Sequence, residues 1–182
     1  RIKADIKRAI ETQLSGQNID VDLSDIDISG NDKFFLWHTW FADVFNRPSD
    51  CNSNYSGFDI VIANPPYGAT LTAEDKRVYR KLYPEVQFKI NTYALFVLLS
   101  FALMRENGTS CYILPNTLLD NYFEDKIREK LLANKITELN DLSDKIFENA
   151  VVHSMIIRYS KNKSQCDNYV KVNTFFFTKF FA

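Results

Sequence analysis

Asn64-Pro65-Pro66-Tyr67 is the stretch of this sequence whose residue types could do chemistry. Two adjacent prolines remove two backbone donors, leaving carbonyls without neighbouring N–H groups. The residue before each proline is held extended, which keeps Asn64 and Pro65 out of a helix. A rigid turn is therefore predicted, projecting a side-chain amide, main-chain carbonyls and the Tyr67 ring. The preceding Phe58-Asp59-Ile60-Val61-Ile62-Ala63 is a short apolar run, the pattern of a strand buried on both faces. The turn then falls at the carboxyl end of a strand, where open α/β sheets bind ligands.

The rest of the chain must position that turn. Ile2, Ile6, Ile10 and Leu14 at spacing four predict an amphipathic connector helix ended by Gly16. Residues 17–33 are polar, either a loop or weak edge strands. Phe34 to Phe41 is aromatic-rich and β-favouring, so Asp43 is expected just after a strand, near the same sheet edge as Asn64. His38 on that run reads as a packed residue rather than a base. Residues 47–57 read as a loop. Glu74 to Leu82 is predicted as a short helix in a long segment carrying a basic cluster, Lys76, Arg77, Arg80, Lys81 and Lys89, either a solvated face or a phosphate contact. Thr92 is expected to cap an apolar helix over Tyr93–Arg105, ended by Asn107-Gly108. Ser110 to Leu114 reads as a second buried strand closed by Pro115. A helix from Asn121 to Ala133 is expected to carry Phe123, Ile127 and Leu131 inward. Lys135–Leu142 and Val151–Tyr159, around a turn at Ser143–Asn149, read as an antiparallel edge hairpin, and Val170 to Ala182 as a strand-like tail. The predicted fold class is α/β, a parallel sheet ending in an antiparallel edge hairpin.

At 182 residues the chain suits one domain with a real core, and fifteen Phe and nine Tyr make aromatic packing its main material. A formal net charge of −1 argues against tight duplex binding by this segment alone. Cys51, Cys111 and Cys166 are widely separated, no CxxC occurs and only His38 and His153 are present, so no metal site is predicted. The apolar stretch Tyr93–Met104 is too short to span a bilayer and no signal peptide precedes it, so the expected location is cytoplasmic, with no membrane partner. The chain begins at Arg1 inside a predicted helix and is expected to be a fragment.

Asn64-Pro65-Pro66-Tyr67 after a hydrophobic strand resembles the catalytic motif of DNA adenine-N6 methyltransferases, including combined restriction–methylation enzymes. Four further stretches resemble that family in the right order: Trp40-Phe41-Ala42-Asp43-Val44-Phe45, Asn91-Thr92-Tyr93-Ala94-Leu95-Phe96, Gly108 through Asn116, and Ile146-Phe147 with Val151–Tyr159. The resemblance covers Trp40 to Lys161. It implies a Rossmann-like S-adenosylmethionine-dependent methyltransferase fold, divided as residues 1–33 connector, 34–161 catalytic part and 162–182 tail towards a missing domain. It also implies that Asn64, Pro65, Pro66 and Tyr67 are catalytic. Tyr67 and Phe147 would stack on a flipped adenine from double-stranded DNA, while Asp43 and Phe96 would hold the adenine end of S-adenosylmethionine.

The sequence also departs from the family. Gly16, Gly30 and Gly57 lie in no Gly-rich loop of the kind that wraps the methionine part of the cofactor. No sizeable target-recognition domain is expected between Tyr159 and Ala182. S-adenosylmethionine is therefore expected in the intact parent, with weak or absent binding to this fragment. Two alternatives stand beside DNA methylation. One is methylation of a protein glutamine or an RNA base, whose amines are also planar and delocalised. The other is a non-catalytic structural or DNA-positioning role for the chain in isolation.

Overall fold

The computed structural model describes residues 35–48, 55–86, 88–142, 153–163 and 169–174. The predicted first helix, the polar stretch 17–33, the turn at Ser143–Asn149 and Phe147 itself lie outside them. The chain divides into two compact units, Arg1–Asn46 and Arg47–Ala182.

In the first unit the aromatic run is helical, not a strand. Helix α1 spans Trp37–Trp40 and α2 spans Ala42–Phe45. The rings contact one another along the turns: Phe35 meets Trp37 edge-on at 4.7 Å, and Trp37 stacks on Phe41 at 6.0 Å. Pairs four apart meet on a helix, so a locally packed aromatic cluster overrides the β preference of its members. His38 rests on Phe45 at 4.0 Å. Asp43 consequently sits exposed in the first turn of α2 rather than beyond a strand.

Among the described residues the second unit holds a five-stranded mixed sheet. In chain order it contains β1 (Phe58–Ala63), α3 (Ala73–Leu82), α4 (Thr92–Leu103), β2 (Met104–Pro115), two 3₁₀ turns (Asn116–Leu119 and Tyr122–Glu124), α5 (Asp125–Leu132), β3 (Asn134–Asp141), β4 (Ser154–Lys163) and β5 (Lys171–Thr174). The spatial order is β1-β2-β4-β3-β5. β1 and β2 are parallel, β4 is antiparallel to both its neighbours, and β5 lies parallel to β3. The predicted hairpin is therefore β3 with β4, and β5 adds a further strand beside it. α4 links β1 to β2 as the crossover that a parallel pair requires.

Two expectations about β1 and β2 need correction. β1 is not buried on both faces: Ile60 is 63% exposed and Ile62 75%. Among the described residues β1 pairs only with β2, so it stands at the sheet edge. Nor does Asn107-Gly108 end α4. The helix stops at Leu103, β2 begins at once, and Asn107 takes φ 62 inside it. Phe58 pairs with Met104 but Ile60 with Thr109, so the intervening residues form a bulge. Gly57 enters β1 at φ 116, where a Cβ would lie 2.6 Å from the Arg105 nitrogen, so only glycine fits. Asp59 ties the two strand starts together, accepting from Arg105 Nε at 2.5 Å and Arg47 at 2.7 Å.

The core forms where α4 and α5 pack on the sheet. Val97, Met104, Leu114, Leu118, Ile127, Met155, Ile157 and Tyr159 are among its most deeply buried members. The apolar character of α4 is thus explained by burial. Inside this core the Tyr159 hydroxyl bonds Ser100 Oγ at 2.6 Å, and burial pushes its phenol pKa up. No helix among the described residues is long and apolar enough to cross a membrane.

Candidate active site

β1 ends at Ala63, opposite Tyr112 of β2. Asn64 to Pro66 then leave the sheet without regular structure, at the carboxyl end of the parallel pair. The Asn116–Leu119 turn leaves the end of β2 at the same edge, anchored by Asn116 N–H to the His153 carbonyl at 3.0 Å. Sequence and structure agree on this placement.

Within the turn the side chains divide. Asn64 is exposed, Pro65 is buried, Pro66 is exposed and Tyr67 is half-buried. The turn is gripped by the start of α4. Thr92 Oγ1 donates to the Pro66 carbonyl at 2.5 Å, and the Tyr67 ring meets the Tyr93 ring edge-on, centroids 6.1 Å apart. Thr92 is therefore not the helix cap: Asn91 occupies that position, and neither side chain caps the helix. Burial raises the pKa of the Tyr67 phenol, with the Ser154 side chain pulling the other way.

A residue that sequence reasoning passed over lies behind this grip. Glu124 is 1% exposed. Its Oε1 accepts from Asn91 Nδ2 at 2.5 Å and from the Tyr93 hydroxyl. Its Oε2 is buried with no hydrogen-bond partner among the described residues. Burial, then the bond to Glu124 and its charge, drive the Tyr93 pKa far above the usual phenol range, while Thr117 and Asn91 oppose the shift. Phe123, predicted inward, is instead 46% exposed. The predicted helix opens with a 3₁₀ turn over Tyr122–Glu124, and Glu124 is buried with Ile127 and Leu131 of α5. Its spacing of three and seven from those apolar positions was the available sequence signal.

Phe96 is 37% exposed and lies one helical turn from Thr92, four residues on, so it shares the face that meets the Asn64 turn. Of the basic cluster, Arg77 pairs with Glu74 at 2.6 Å and Arg80 donates to the Phe88 carbonyl at 3.0 Å; Lys76, Lys81 and Lys89 are exposed. No group of three metal-ligating side chains occurs among the described residues.

The S-adenosylmethionine that the sequence resemblance implies is fitted only in part by the described residues. The exposed Phe96 ring suits an adenine. Of the three described glycines, Gly57 and Gly108 are packed against backbone around the β1–β2 bulge. Only Gly68 stands in open space, so the described residues offer no glycine loop for the methionine part.

Comparison with known proteins accords with this architecture. The chain is similar in fold to a protein from Listeria monocytogenes described as a class I S-adenosylmethionine-dependent methyltransferase, with a TM-score of 0.51 and 15% identity over 65% of this chain and 36% of that one. It is 28% identical over 141 residues to the type II restriction enzyme and methyltransferase RM.Eco57I of Escherichia coli, covering 73% of this chain and 14% of that protein. It is 30% identical over 115 residues to the type II methyltransferase M.TthHB8I of Thermus thermophilus, covering 57% of this chain and 26% of that protein. The chain thus spans about a quarter or less of either relative. Residues 2–147 match the Eco57I restriction-modification methylase family. β1, the Asn64–Tyr67 turn, α4 and β2 all fall within that span, and the chain belongs to this family.

Proposed function

We propose that this chain supplies the catalytic turn of a site-specific DNA adenine-N6 methyltransferase serving in restriction–modification. The observation that carries the proposal is the turn itself. The Asn64 amide is exposed at the carboxyl edge of the sheet, on a backbone pinned by Thr92 at the Pro66 carbonyl.

The exocyclic nitrogen of adenine is a poor nucleophile because its lone pair is delocalised into the ring. Two acceptors placed against its N–H hydrogens draw the nitrogen towards sp³ and restore the lone pair. Asn64 Oδ1 and the Pro65 carbonyl are those acceptors, and each contributes on the order of 2–4 kcal/mol to the barrier reduction, by analogy with oxyanion-hole donors. The adenine must leave the duplex to reach them, because its amine is shielded by stacking and pairing. Tyr67 and Phe147 stack on the extruded base, at about 1–3 kcal/mol for such a contact. S-adenosylmethionine supplies the electrophilic methyl group. Phe96 contributes to its adenine end, and the remainder of its site, like sequence recognition, is assigned to other parts of the intact enzyme. RM.Eco57I carries restriction and methyltransferase activity in its name, and similarity to it supports the DNA substrate.

The test is to treat duplex DNA with the intact methyltransferase and isotopically labelled S-adenosylmethionine, then identify the nucleosides by mass spectrometry. N6-methyladenine is expected. Label only in another base, or only in protein or RNA, would overturn the assignment.

A further inference from the structure

We infer that Glu124 is a positioning residue: its buried carboxylate fixes the start of α4, and through it the Asn64–Tyr67 turn, in the geometry that methyl transfer needs. Its catalytic meaning rests on the function proposed above.

Three consecutive residues connect Glu124 to the turn. Asn91 and Tyr93 both donate to Glu124 Oε1. Thr92, between them, donates to the Pro66 carbonyl at 2.5 Å, and the Tyr93 ring contacts the Tyr67 ring. The start of α4 is thus held by Glu124 on one side and holds the turn on the other. Asparagine and threonine at a helix start ordinarily turn back to cap its free N–H groups. Here neither does: Asn91 reaches to Glu124 and Thr92 to Pro66. The polar atoms that would stabilise the helix are committed to this linkage instead.

Glu124 itself is a costly way to fill a core. None of the ion pairs among the described residues includes it, and Oε2 has no partner there. An apolar side chain beside Ile127 and Leu131 would pack more favourably, but it could not orient Asn91 and Tyr93. In that bond the Tyr93 hydroxyl is the donor and Glu124 Oε1 the acceptor.

The experiment compares Glu124→Ala, Glu124→Gln and Tyr93→Phe with wild type in the intact methyltransferase. It measures single-turnover methyl transfer at saturating DNA and S-adenosylmethionine, KM for both, and amide exchange at Tyr67 and Gly68. Glu124→Ala is expected to lose about 10- to 100-fold in rate, the scale of a small misplacement of reacting groups. KM should change by less than about threefold, because binding contacts are retained. Exchange at Tyr67 and Gly68 should accelerate while Leu114 and Ile157 stay protected. Glu124→Gln, which keeps an oxygen for Asn91 and Tyr93, should recover most of the rate. Should Glu124→Ala fail to fold, Tyr93→Phe must still show faster exchange at Tyr67 and Gly68 and a lower rate. Unchanged rate and exchange, loss of protection spread equally through the core, or Gln behaving no better than Ala would each overturn the inference. Exchange needs no turnover, so it decides the role of Glu124 even if the methylated base is not adenine.

Discussion

Asn64 and Pro65 are adjacent, yet one is exposed and the other buried. The extended turn that carries them was legible in the sequence, because consecutive prolines after an apolar run constrain the backbone almost regardless of context. Glu124 was not, because its importance depends on partners more than thirty residues away. Asp59 is a second residue whose role appears only in three dimensions. The bond from Arg105, then that from Arg47, hold its carboxyl at about 2, below the ordinary 3.8. A depressed folded-state pKa contributes stability that is present above the unfolded value and lost as pH falls through the folded one. Half the side chain is exposed, so screening limits the contribution to about 1 kcal/mol or less. Asp59→Asn should lower the thermal midpoint by a few degrees at pH 6, and the gap should close as pH approaches 2. A gap that stays constant down to pH 2 would contradict the ion-pair account.

At the scale of elements, the helix expected over Glu74–Leu82 is present as α3, Ala73–Leu82, and its cap emerges only in the structure. Thr72 Oγ1 accepts from the Asp75 N–H at 3.1 Å, while Asp75 accepts from the Thr72 N–H at 2.9 Å, a reciprocal cap that starts the helix within a residue of its predicted position. Thr72→Ala should destabilise α3 locally by about 1 kcal/mol, read as several-fold faster amide exchange over Ala73–Leu82 with the β2 and β4 amides unaffected. The aromatic run before Ala42 shows the opposite case. Its β-favouring composition pointed to a strand, but ring contacts between neighbouring turns make short helices. β1 differs for another reason. Its all-apolar pattern predicts two buried faces, and within this chain Ile60 and Ile62 lie exposed. Periodicity reports what a strand is suited to pack against, not what is packed there.

At the scale of the whole molecule, the sheet, its crossover helix and the proposed catalytic turn are present, while the described glycines form no loop that would wrap the methionine part of the proposed cofactor. This chain alone is therefore expected to bind S-adenosylmethionine weakly or not at all. Calorimetry showing micromolar affinity would contradict that. In the intact enzyme Phe147→Ala should weaken retention of the extruded base more than the transfer step, seen as reduced fluorescence of a 2-aminopurine target with a smaller change in single-turnover rate. The central claim is that the Asn64 amide activates the target amine. Its most direct test is single-turnover methyl transfer by intact wild type and Asn64→Ala on duplex DNA, with the fold checked by circular dichroism. The account predicts a loss of at least about 100-fold in rate with the fold intact. A folded Asn64→Ala enzyme that transfers methyl at the wild-type rate would contradict it.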